Sequence, residues 1–462
     1  MQKIMSTPAH ARAIAILGLP LIGGHLAQMA IGVTDTVMLG WYGVEALAAV
    51  TLASTFFFVL FIFGSGFASA VMPMVASFQA EKDETSIRRA TRMGLWLSFG
   101  FGLLALPLMI FSAPILRLMG QEVTVVTLGA EYLRIAGWGI LPALFVMVLK
   151  SYLSALERTK IVLWATLAAL AVNAGLNWVL IFGNLGAPEM GIVGSAWASV
   201  IAQAASMIVI ALYAIRIFPE HTLFRRFWRA DWEALARVFR LGWPIGITNI
   251  AEVGLFSAAS LMMGWLGTVP LAAHGIALQL SSMTFMMHVG LSNVATIRAG
   301  RALGAGQVAE LREGAEMVIL LSFAAAAATV VLFLTLPGPM IGMFLNPDDP
   351  DRDAVIAIGI GLMAAAALFQ LADSAQVMAL GLLRGVQDTR VPMIIAAVAY
   401  WVVGVPLSYV LGFVLGWDGV GVWLGLAGGL AIAGGLMMLR FWRVSLPKQR
   451  GGASAPSGAS GA

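Results

Sequence analysis

Long apolar runs separated by short polar connections recur along the whole 462-residue chain. Each run has about 20 residues or more, enough for a helix to cross ~30 Å of hydrocarbon. The alternating pattern of β-barrel strands does not dominate any of them. The pattern therefore predicts an all-α polytopic membrane protein with twelve transmembrane helices. The predicted spans lie near 12–35, 46–76, 93–116, 129–152, 161–183, 191–216, 237–262, 270–297, 316–336, 354–383, 391–416 and 419–440.

The composition supports a membrane protein and removes several other classes. Sixty per cent of the residues are hydrophobic and 11% are charged, whereas a soluble domain averages roughly 25% charged residues. Too few polar side chains remain to cover a soluble globule, which excludes a soluble enzyme, a disordered protein and a coiled coil. The chain also lacks cysteine, an ATP-binding P-loop and an HExxH motif. We therefore expect no enzymatic activity and no cofactor, with an ion gradient or a partner subunit as the energy source.

The lysines and arginines are distributed unevenly between the two ends of the predicted spans. Of these 27 residues, 24 lie near the termini or in even-numbered connections. The odd-numbered connections hold Arg117 and Arg352, and Arg134 lies inside a span. Because positive residues concentrate on the cytoplasmic side, this bias predicts that both termini are cytoplasmic. The same argument makes the central connection, 217–236, a cytoplasmic linker.

Three segments are predicted to lie outside the spans at the cytoplasmic side. Residues 1–11 form the N-terminal segment. Residues 224–240 combine arginines with Trp228 and Trp232, which is typical of a short amphipathic helix in the headgroup region. Residues 446–462 end in GGASAPSGASGA, a composition that predicts a disordered tail.

The two halves of the sequence repeat each other. The segment LGLP at 17–20 returns as LGWP at 241–244. When 17–50 is aligned with 241–274 without gaps, 11 of the 34 aligned positions are identical. The repeat therefore predicts that the chain consists of two homologous bundles.

Each repeat contains six spans, an even number, so both bundles have the same orientation in the membrane. This predicts an N-lobe over 12–216 and a C-lobe over 237–445, related by a pseudo-two-fold axis along the membrane normal. Two bundles of like orientation that meet at a central cleft are a common architecture for alternating access.

Three acidic residues lie inside the predicted spans, where a charged side chain is costly and so suggests a function. Asp35 lies near the outer end of span 1, Glu252 midway along span 7 and Asp373 midway along span 10. None has a lysine or arginine within one helical turn. Each must be protonated, bind a cation or pair with a residue distant in sequence; a structural, hydrogen-bonded acid is the alternative. Competition between a proton and a cation for one carboxyl is the chemistry that an antiporter requires.

Polar residues near these acids extend them into candidate sites. Asn173 and Asn177 share one face of span 5, and with Asp35 they offer oxygens that suit a monovalent cation or a proton relay. Hydrogen bonding between helices is the alternative reading of the two asparagines. Ser195, at the start of the next span, is a further candidate. In the second half, the candidate neighbours of the two acids are Asn249, Phe369, Gln370 and Gln376.

The repeat adds two observations about these residues. Glu252 aligns with Gln28, a supporting polar residue of span 1, so the acids are not duplicated and each half has its own set. Pro20 and Pro244 stand at matching positions of spans 1 and 7, and a proline frees a backbone carbonyl and bends a helix. A bend in span 1 would couple ion binding at Asp35 to the shape of that helix.

Four segments together resemble the multidrug and toxic compound extrusion (MATE) transporters, and within them the bacterial NorM-type branch. They are LGLPLIGGHLAQMAIGVTDTVMLG at 17–40, KSYLSALERTK at 150–160, GWPIGITNIAEVGLF at 242–256 and DSAQVMALGLLRGVQDTRVPM at 373–393. The resemblance covers about residues 12–445. It implies two six-helix lobes around a V-shaped cavity, a place in the bacterial inner membrane, and export of cationic, lipophilic drugs in exchange for Na⁺ or H⁺.

The resemblance also implies roles for individual residues. The family's C-lobe cation site matches Glu252 and Asp373, which makes Na⁺ binding possible at these two acids. Phe369 stands where this branch often has tyrosine, so it keeps the ring and lacks the hydroxyl. The family's N-lobe site matches Asp35, and Asn177 stands where some relatives have a second acid.

A lipid-linked saccharide flippase of a related fold is the alternative function. Such a protein requires a strongly cationic cavity for pyrophosphate, whereas Arg134 is the fixed cation that the sequence places within the spans. A non-transporting scaffold or channel subunit is a third interpretation. It does not explain why three acidic residues lie inside the membrane spans.

Overall fold

The computed structural model describes residues 7–118, 120 and 122–453, and all regular secondary structure in them is helical. Helices are expected in hydrocarbon, because backbone groups there must be paired within their own segment. The predicted all-α class is confirmed. The twelve long helices are α1 (Thr7–Tyr42), α2 (Val44–Glu81), α3 (Glu84–Ile110), α4 (Val123–Ala155), α5 (Thr159–Phe182), α6 (Gly191–Ile217), α7 (Trp232–Leu266), α8 (Thr268–Gly304), α9 (Val308–Thr335), α10 (Arg352–Gly385), α11 (Arg390–Val414) and α12 (Asp418–Gln449).

Eleven of these helices are long and apolar enough to cross a membrane, and α8 is the exception among the twelve. Helix α8 nevertheless covers the predicted span 270–297, and two of its hydroxyl side chains bind another helix. The Ser292 hydroxyl donates to the carbonyl of Val377 at 2.8 Å, and the Thr296 hydroxyl donates to that of Gly381 at 2.9 Å. Because these hydroxyls bind the backbone of α10, the lower hydropathy of α8 reflects contact with another helix. Each of the twelve predicted spans therefore coincides with a long helix over most of its length.

The helix boundaries follow the repeat that the sequence shows. Helices α1 and α7 end at Tyr42 and Leu266, which are equivalent positions in the alignment of the two halves, and one glycine separates each from the next helix. The second of these glycines, Gly267, has a φ of 123°, a backbone conformation that favours glycine. Helices α3 and α9 begin at Glu84 and Val308, which are equivalent in the same alignment. The internal repeat is therefore present in the structure as well as in the sequence.

The turns after α4 and α10 are also equivalent, although the offset between the halves is slightly larger here. Glu157 and Gln387 both adopt the left-handed conformation, with φ of 61° and 60°. The next backbone amide donates to a carbonyl five residues earlier in each case, from Arg158 to Leu153 and from Asp388 to Leu383. This is the hydrogen bond of a Schellman helix end, which explains why the ERTK and QDTR segments recur.

The described helices group into two compact units whose division differs from the predicted lobes. One unit consists of Gly23–Ile247, and the other, within the described residues, consists of 7–22 together with 248–453. The divisions fall inside α1 and α7, shortly after Pro20 and Pro244, whereas the prediction placed the boundary in the linker. Each unit therefore includes the first part of a helix whose remainder belongs to the other unit.

Glycines allow a close approach between α11 and α12. A Cβ atom built on Gly421 or Gly425 would lie 2.5 Å or less from the backbone of α11, with Ser408 nearest to Gly425 at 2.2 Å. The Ser408 hydroxyl donates across this contact to the Val422 carbonyl at 3.0 Å. Small residues spaced by four are typical of packed membrane helices, because they bring backbones together.

The predicted amphipathic helix is wrong over residues 224–231, which form turns before α7 begins. Side chains of α3 donate hydrogen bonds to backbone carbonyls of this segment. Arg92 donates to the carbonyl of Arg225 at 2.7 Å, and the Trp96 indole donates to that of Phe227 at 2.9 Å. A carbonyl bound to another helix is diverted from helical hydrogen bonding. The pattern of arginine and tryptophan thus identified a surface segment and assigned it the wrong secondary structure.

Asp231 ends this segment and begins α7. Its carboxylate accepts from the Ala234 amide at 3.1 Å and from the Arg89 guanidinium, so it is both a helix cap and an ion-pair partner. The hydrogen bond from Arg89 lowers the pKa of Asp231 below its ordinary value of 3.8. Because the pKa of Asp231 is lowered in the folded state, its pair with Arg89 stabilises the linker fully above about pH 3.8. This stabilisation is lost as the pH falls through the lowered pKa.

The end of the chain also differs in part from expectation. A final helical segment, Leu446–Ala453, overlaps the end of α12 and extends the helical structure to residue 453, although 446–462 was expected to be disordered. Leu446 is buried and ties this segment to the fold. Residues 454–462 lie outside the described part of the chain.

We expect Gly425→Ala to destabilise the protein, because the added methyl group overlaps the backbone of α11. Overpacking of this kind costs roughly 1–3 kcal/mol. Gly435→Ala on the same helix is the matched control, since a Cβ there meets nothing within 4 Å, and we expect it to be neutral or stabilising. Thermal denaturation of the detergent-purified variants measures the difference, and equal melting temperatures would contradict the close approach.

Candidate functional site

The first candidate site surrounds Asp35 of α1. The Asn177 amide donates to Asp35 Oδ1 at 2.5 Å, and the Ser199 hydroxyl donates to Oδ2 at 3.1 Å. Asn177 also donates to Asn173 Oδ1 at 3.3 Å. Both asparagines are fully buried, and Asp35 is 9% exposed. The structure therefore brings together the acid of α1 and the predicted asparagine pair of α5.

Two residues of this cluster were not predicted from the sequence. Ser199 of α6 lies one turn after the predicted Ser195, which is buried and has no hydrogen-bond partner in the described part of the chain. Tyr132 of α4 is buried beside Ser199 and interacts electrostatically with Asp35. The i, i+4 spacing of the two serines was a signal for Ser199, since both lie on one face of α6. Tyr132 had no such signal.

The second candidate site surrounds Asp373 of α10, which is fully buried. No donor among the described residues reaches either of its carboxylate oxygens. Asp373 interacts electrostatically with Glu252 of α7, and both acids interact with the buried Tyr400 of α11. The two acids that the sequence places in one candidate site thus interact electrostatically, and Tyr400 is an addition that their spacing in the sequence did not indicate.

Neutral oxygen atoms accompany these two acids. Gln376 donates to the Tyr400 hydroxyl at 2.6 Å, and Gln370 makes a long contact of 3.5 Å to the Ser281 carbonyl. The side-chain oxygens of Gln370, Gln376 and Ser281 are themselves buried without a partner in the residues described. So is Glu252 Oε1. Buried acceptors normally have donors, so this set of oxygens fits a hard monovalent cation or a proton carried in water.

Arg384 places a fixed positive charge beside this site. Its guanidinium donates to Asn249 Oδ1 at 3.0 Å and interacts electrostatically with Glu252, one turn further along α7. In the sequence, Arg384 counted only as a marker of the cytoplasmic side, because it is distant from Glu252 along the chain. The acid therefore has a charged partner that local sequence spacing could not show, while Asp373 interacts with a second acid.

Phe369 packs among aromatic rings. Its ring lies edge-on to Phe256 and Trp423, with centroids 5.8 and 5.5 Å away. The Trp423 indole donates to His274 Nδ1 at 3.1 Å, and Ser260 contacts the other ring nitrogen at 3.0 Å. Phe369 therefore contributes an apolar wall, and the described contacts give it no ligand atom.

The remaining predicted residues are one glutamine and two prolines. Gln28 accepts a hydrogen bond from Lys150 at 3.3 Å. Pro20 and Pro244 lie inside α1 and α7, and both helices continue past them. Over the described ranges, no group of three or more His, Cys, Asp or Glu side chains is placed to hold a metal ion.

Twelve long helices in two repeats, each with an acid among oxygen atoms, indicate a multi-pass membrane transporter. The particular family follows from sequence comparison. The chain belongs to the MatE family of membrane transporters, whose sequence profile matches residues 20–179 and 244–410, one match in each repeat.

Named relatives extend over nearly the whole chain. The "Probable multidrug resistance protein NorM" of Rhizobium meliloti is 46% identical over 96% of this chain and 95% of its own length. The protein of the same name from Agrobacterium fabrum is 45% identical over 94% of both chains. The resemblance to the NorM-type branch is confirmed.

Solved structures share the fold at low sequence identity. An outward-facing multidrug resistance MATE family transporter of the MOP superfamily superposes with a TM-score of 0.85 at 20% identity, over 96% of this chain and 97% of its own. The eukaryotic MATE transporter AtDTX14 gives a TM-score of 0.84 at 19% identity, over 97% and 98%. The fold class is confirmed by both.

We expect Ser199→Ala to destabilise the protein by roughly 1–2 kcal/mol, because Asp35 loses a buried hydrogen-bond donor. Ser195→Ala is the control, since it removes a hydroxyl that no described residue binds. Thermal denaturation of both variants distinguishes the two serines. A larger loss for Ser195→Ala than for Ser199→Ala would contradict the geometry of this cluster.

Proposed function

We propose that this protein is a multidrug efflux antiporter, which exports amphipathic cationic compounds in exchange for Na⁺ or H⁺ by alternating access. The NorM relatives carry multidrug resistance in their names. No chemical step is required of the chain, and no cofactor beyond the coupling ion. Transport then depends on an ion gradient and on the two buried acid clusters.

The observation that carries this proposal is the set of buried oxygens around Glu252 and Asp373. Both oxygens of Asp373 lack a donor in the described structure, and the carboxyl of Glu252 interacts with Asp373 electrostatically. Two interacting carboxyls in the interior of a membrane protein are stable only when protons or cations offset their charge. This requirement gives the site its affinity for a coupling ion, and it lets Na⁺ and H⁺ compete for the same atoms.

The cluster around Asp35 is a second candidate coupling site. Its carboxylate already accepts hydrogen bonds from Asn177 and Ser199. An incoming ion at this carboxylate would have to share the oxygens with those two donors. We infer that the two halves bind ions with different affinity, and that the site at Asp373 has the higher affinity for a cation.

The proposed location is the bacterial inner membrane, with both termini in the cytoplasm. The relatives named above are bacterial proteins, and the distribution of 24 of 27 lysines and arginines supports this orientation. The acids also favour a cationic cargo over the pyrophosphate of a lipid-linked saccharide. The additional arginine that the structure brings to the second site, Arg384, interacts with an acid.

We expect Glu252→Gln and Asp373→Asn to abolish most dye efflux, because each removes a carboxyl that holds the coupling ion. Efflux of a fluorescent cationic dye from cells measures the effect at matched expression. Asp353→Asn on the same helix as Asp373 is the control, since that carboxyl is 99% exposed. Unchanged efflux in both site variants would remove the assignment.

Inverted membrane vesicles decide which ion is used. A pH gradient and a Na⁺ gradient are imposed in turn, and uptake of the dye is measured with each. We expect uptake with at least one gradient and a loss of that uptake in Asp373→Asn. Uptake that follows neither gradient would contradict antiport.

We expect Arg384→Gln to lower the ion concentration for half-maximal exchange by about tenfold, equivalent to ~1.4 kcal/mol. The reason is that the fixed charge beside Glu252 opposes a second cation, and its removal relieves that opposition. Arg384→Lys keeps the charge and is the matched control. A half-maximal concentration that is unchanged in Arg384→Gln would show that the arginine does not act on the ion site.

A further inference from the structure

A groove of about 660 Å³ runs between two helices of the unit that contains α8–α12, and its lining includes no residue of either acid cluster. Helices α9 and α12 form its walls, and both pack against α10, which contributes Ala375 to the floor. The lining residues of α9 share one helix face and are Glu316, Ile319, Leu320 and Phe323. Those of α12 also share one face and are Gly434, Gly435, Met438 and Trp442. The groove therefore runs along both helices, and the proposed transport mechanism does not use it.

The glycines of α12 create the space in the groove. A Cβ atom built on Gly434 would lie 2.9 Å from the backbone nitrogen of Gln376, so α12 lies directly against α10 at this point. A Cβ atom on Gly435, the next residue, would meet nothing within 4 Å. On the facing wall, Leu320 is 62% exposed and Phe323 is 38% exposed. An apolar surface is thus left open between membrane-spanning helices, where the surrounding molecules that can cover it are lipids.

The lining changes from polar to apolar along the groove. Successive spans alternate in direction, so α9 begins on the side of the membrane where α12 ends. Glu316 lies about two turns from the start of α9, and Trp442 lies near the end of α12, whereas Phe323 and Gly434 lie deeper. Tryptophan in membrane proteins is typical of the level of the lipid headgroups. The groove therefore has a polar end at headgroup depth and an apolar remainder in the hydrocarbon, which is the distribution of a phospholipid.

An ion pair marks the polar end of the groove. Arg312 Nε donates to Glu316 Oε1 at 2.9 Å, and the two side chains are 55% and 53% exposed. The charges of this pair sum to zero, but they present one group of each sign side by side. The remaining N–H groups of the guanidinium and the second carboxylate oxygen are available to a ligand. This end of the groove therefore suits a headgroup that itself carries one charge of each sign.

We propose that this groove binds a zwitterionic phospholipid with a primary ammonium headgroup, of which phosphatidylethanolamine is the example. The lipid phosphate accepts hydrogen bonds from Arg312, and the lipid ammonium donates to Glu316. One acyl chain lies along Leu320 and Phe323 and covers the open side of Gly435. A purely anionic headgroup has no group that donates to Glu316 as a cation. A trimethylated ammonium, as in phosphatidylcholine, has no N–H to donate.

The test uses the full chain, purified in detergent and delipidated. Phosphatidylethanolamine, phosphatidylcholine and phosphatidylglycerol are added back separately, and binding is measured by native mass spectrometry. We expect phosphatidylethanolamine to bind most tightly, and Glu316→Gln to weaken its binding by about fivefold through loss of one charged hydrogen bond. Gly435→Phe fills the groove with no change in charge, and we expect it to weaken binding by about tenfold or more. The melting temperature without lipid verifies that each variant is folded.

Each variant has a matched control outside the groove. Asp353→Asn removes another exposed acid that pairs with an arginine of its own helix. Gly100→Phe adds the same ring at another helix position where a Cβ meets nothing within 4 Å. We expect both controls to bind phosphatidylethanolamine as the unchanged protein does.

Three results would overturn the proposal. The first is binding of phosphatidylcholine or phosphatidylglycerol as tight as that of phosphatidylethanolamine, which would show a general lipid surface. The second is undiminished binding by Gly435→Phe, which would place the lipid outside the groove. The third is a loss in Asp353→Asn equal to that in Glu316→Gln, which would show that the position of the acid does not matter.

Discussion

The hydrocarbon interior of a membrane supplies no hydrogen-bond partners, and this single constraint organises the protein. Backbone groups satisfy one another in helices, and hydroxyl side chains in the spans bind backbone carbonyls either of their own helix or of another. Ser292 and Thr296 of α8 bind backbone carbonyls of α10, and Ser408 binds one of α12. Against this rule, the oxygens of Asp373 stand out because no described residue donates to them.

The two repeats meet the same constraint in different ways. Their helix ends and turns agree closely over long stretches, so the path of the backbone is duplicated. Their acids are not duplicated: Asp35 is held by amide and hydroxyl donors, whereas Asp373 faces another acid. The first site is organised by neutral hydrogen bonds, and the second by unbalanced charge. Divergence after duplication has therefore acted on side chains inside the bundles far more than on the path of the chain.

Much of the fold was predictable from the sequence, because the features that indicate it extend over many residues. A long apolar run makes a span wherever it occurs, and a constant offset between the repeats fixes equivalent boundaries. The acids were predictable for the same reason, since each is a single charge in a long apolar run. The pairing of Asp35 with Asn177 was also accessible, because the asparagines share one face of α5.

The residues that the sequence did not indicate depend on contacts between distant segments. Arg384 interacts with Glu252 only because its side chain on α10 reaches Asn249 of α7, and Tyr400 is one aromatic residue among many until the helices are placed. The turns at 224–231 result from α3 side chains that capture carbonyls, and local periodicity cannot show such competition. Ser195 was predicted from the sequence, whereas Ser199, one helical turn later on the same face, is the serine that binds Asp35.

The composition of the two units has a consequence for the order in which the protein is made. The first part of α1, up to Ile22, leaves the ribosome early, yet it packs with the unit that otherwise begins at Thr248. This stretch of α1 must therefore wait, inserted in the membrane without its final neighbours, until more than half of the chain has been synthesised. Completion of that unit is necessarily a late event in biosynthesis, and a separately expressed second half would lack one of its own helix segments.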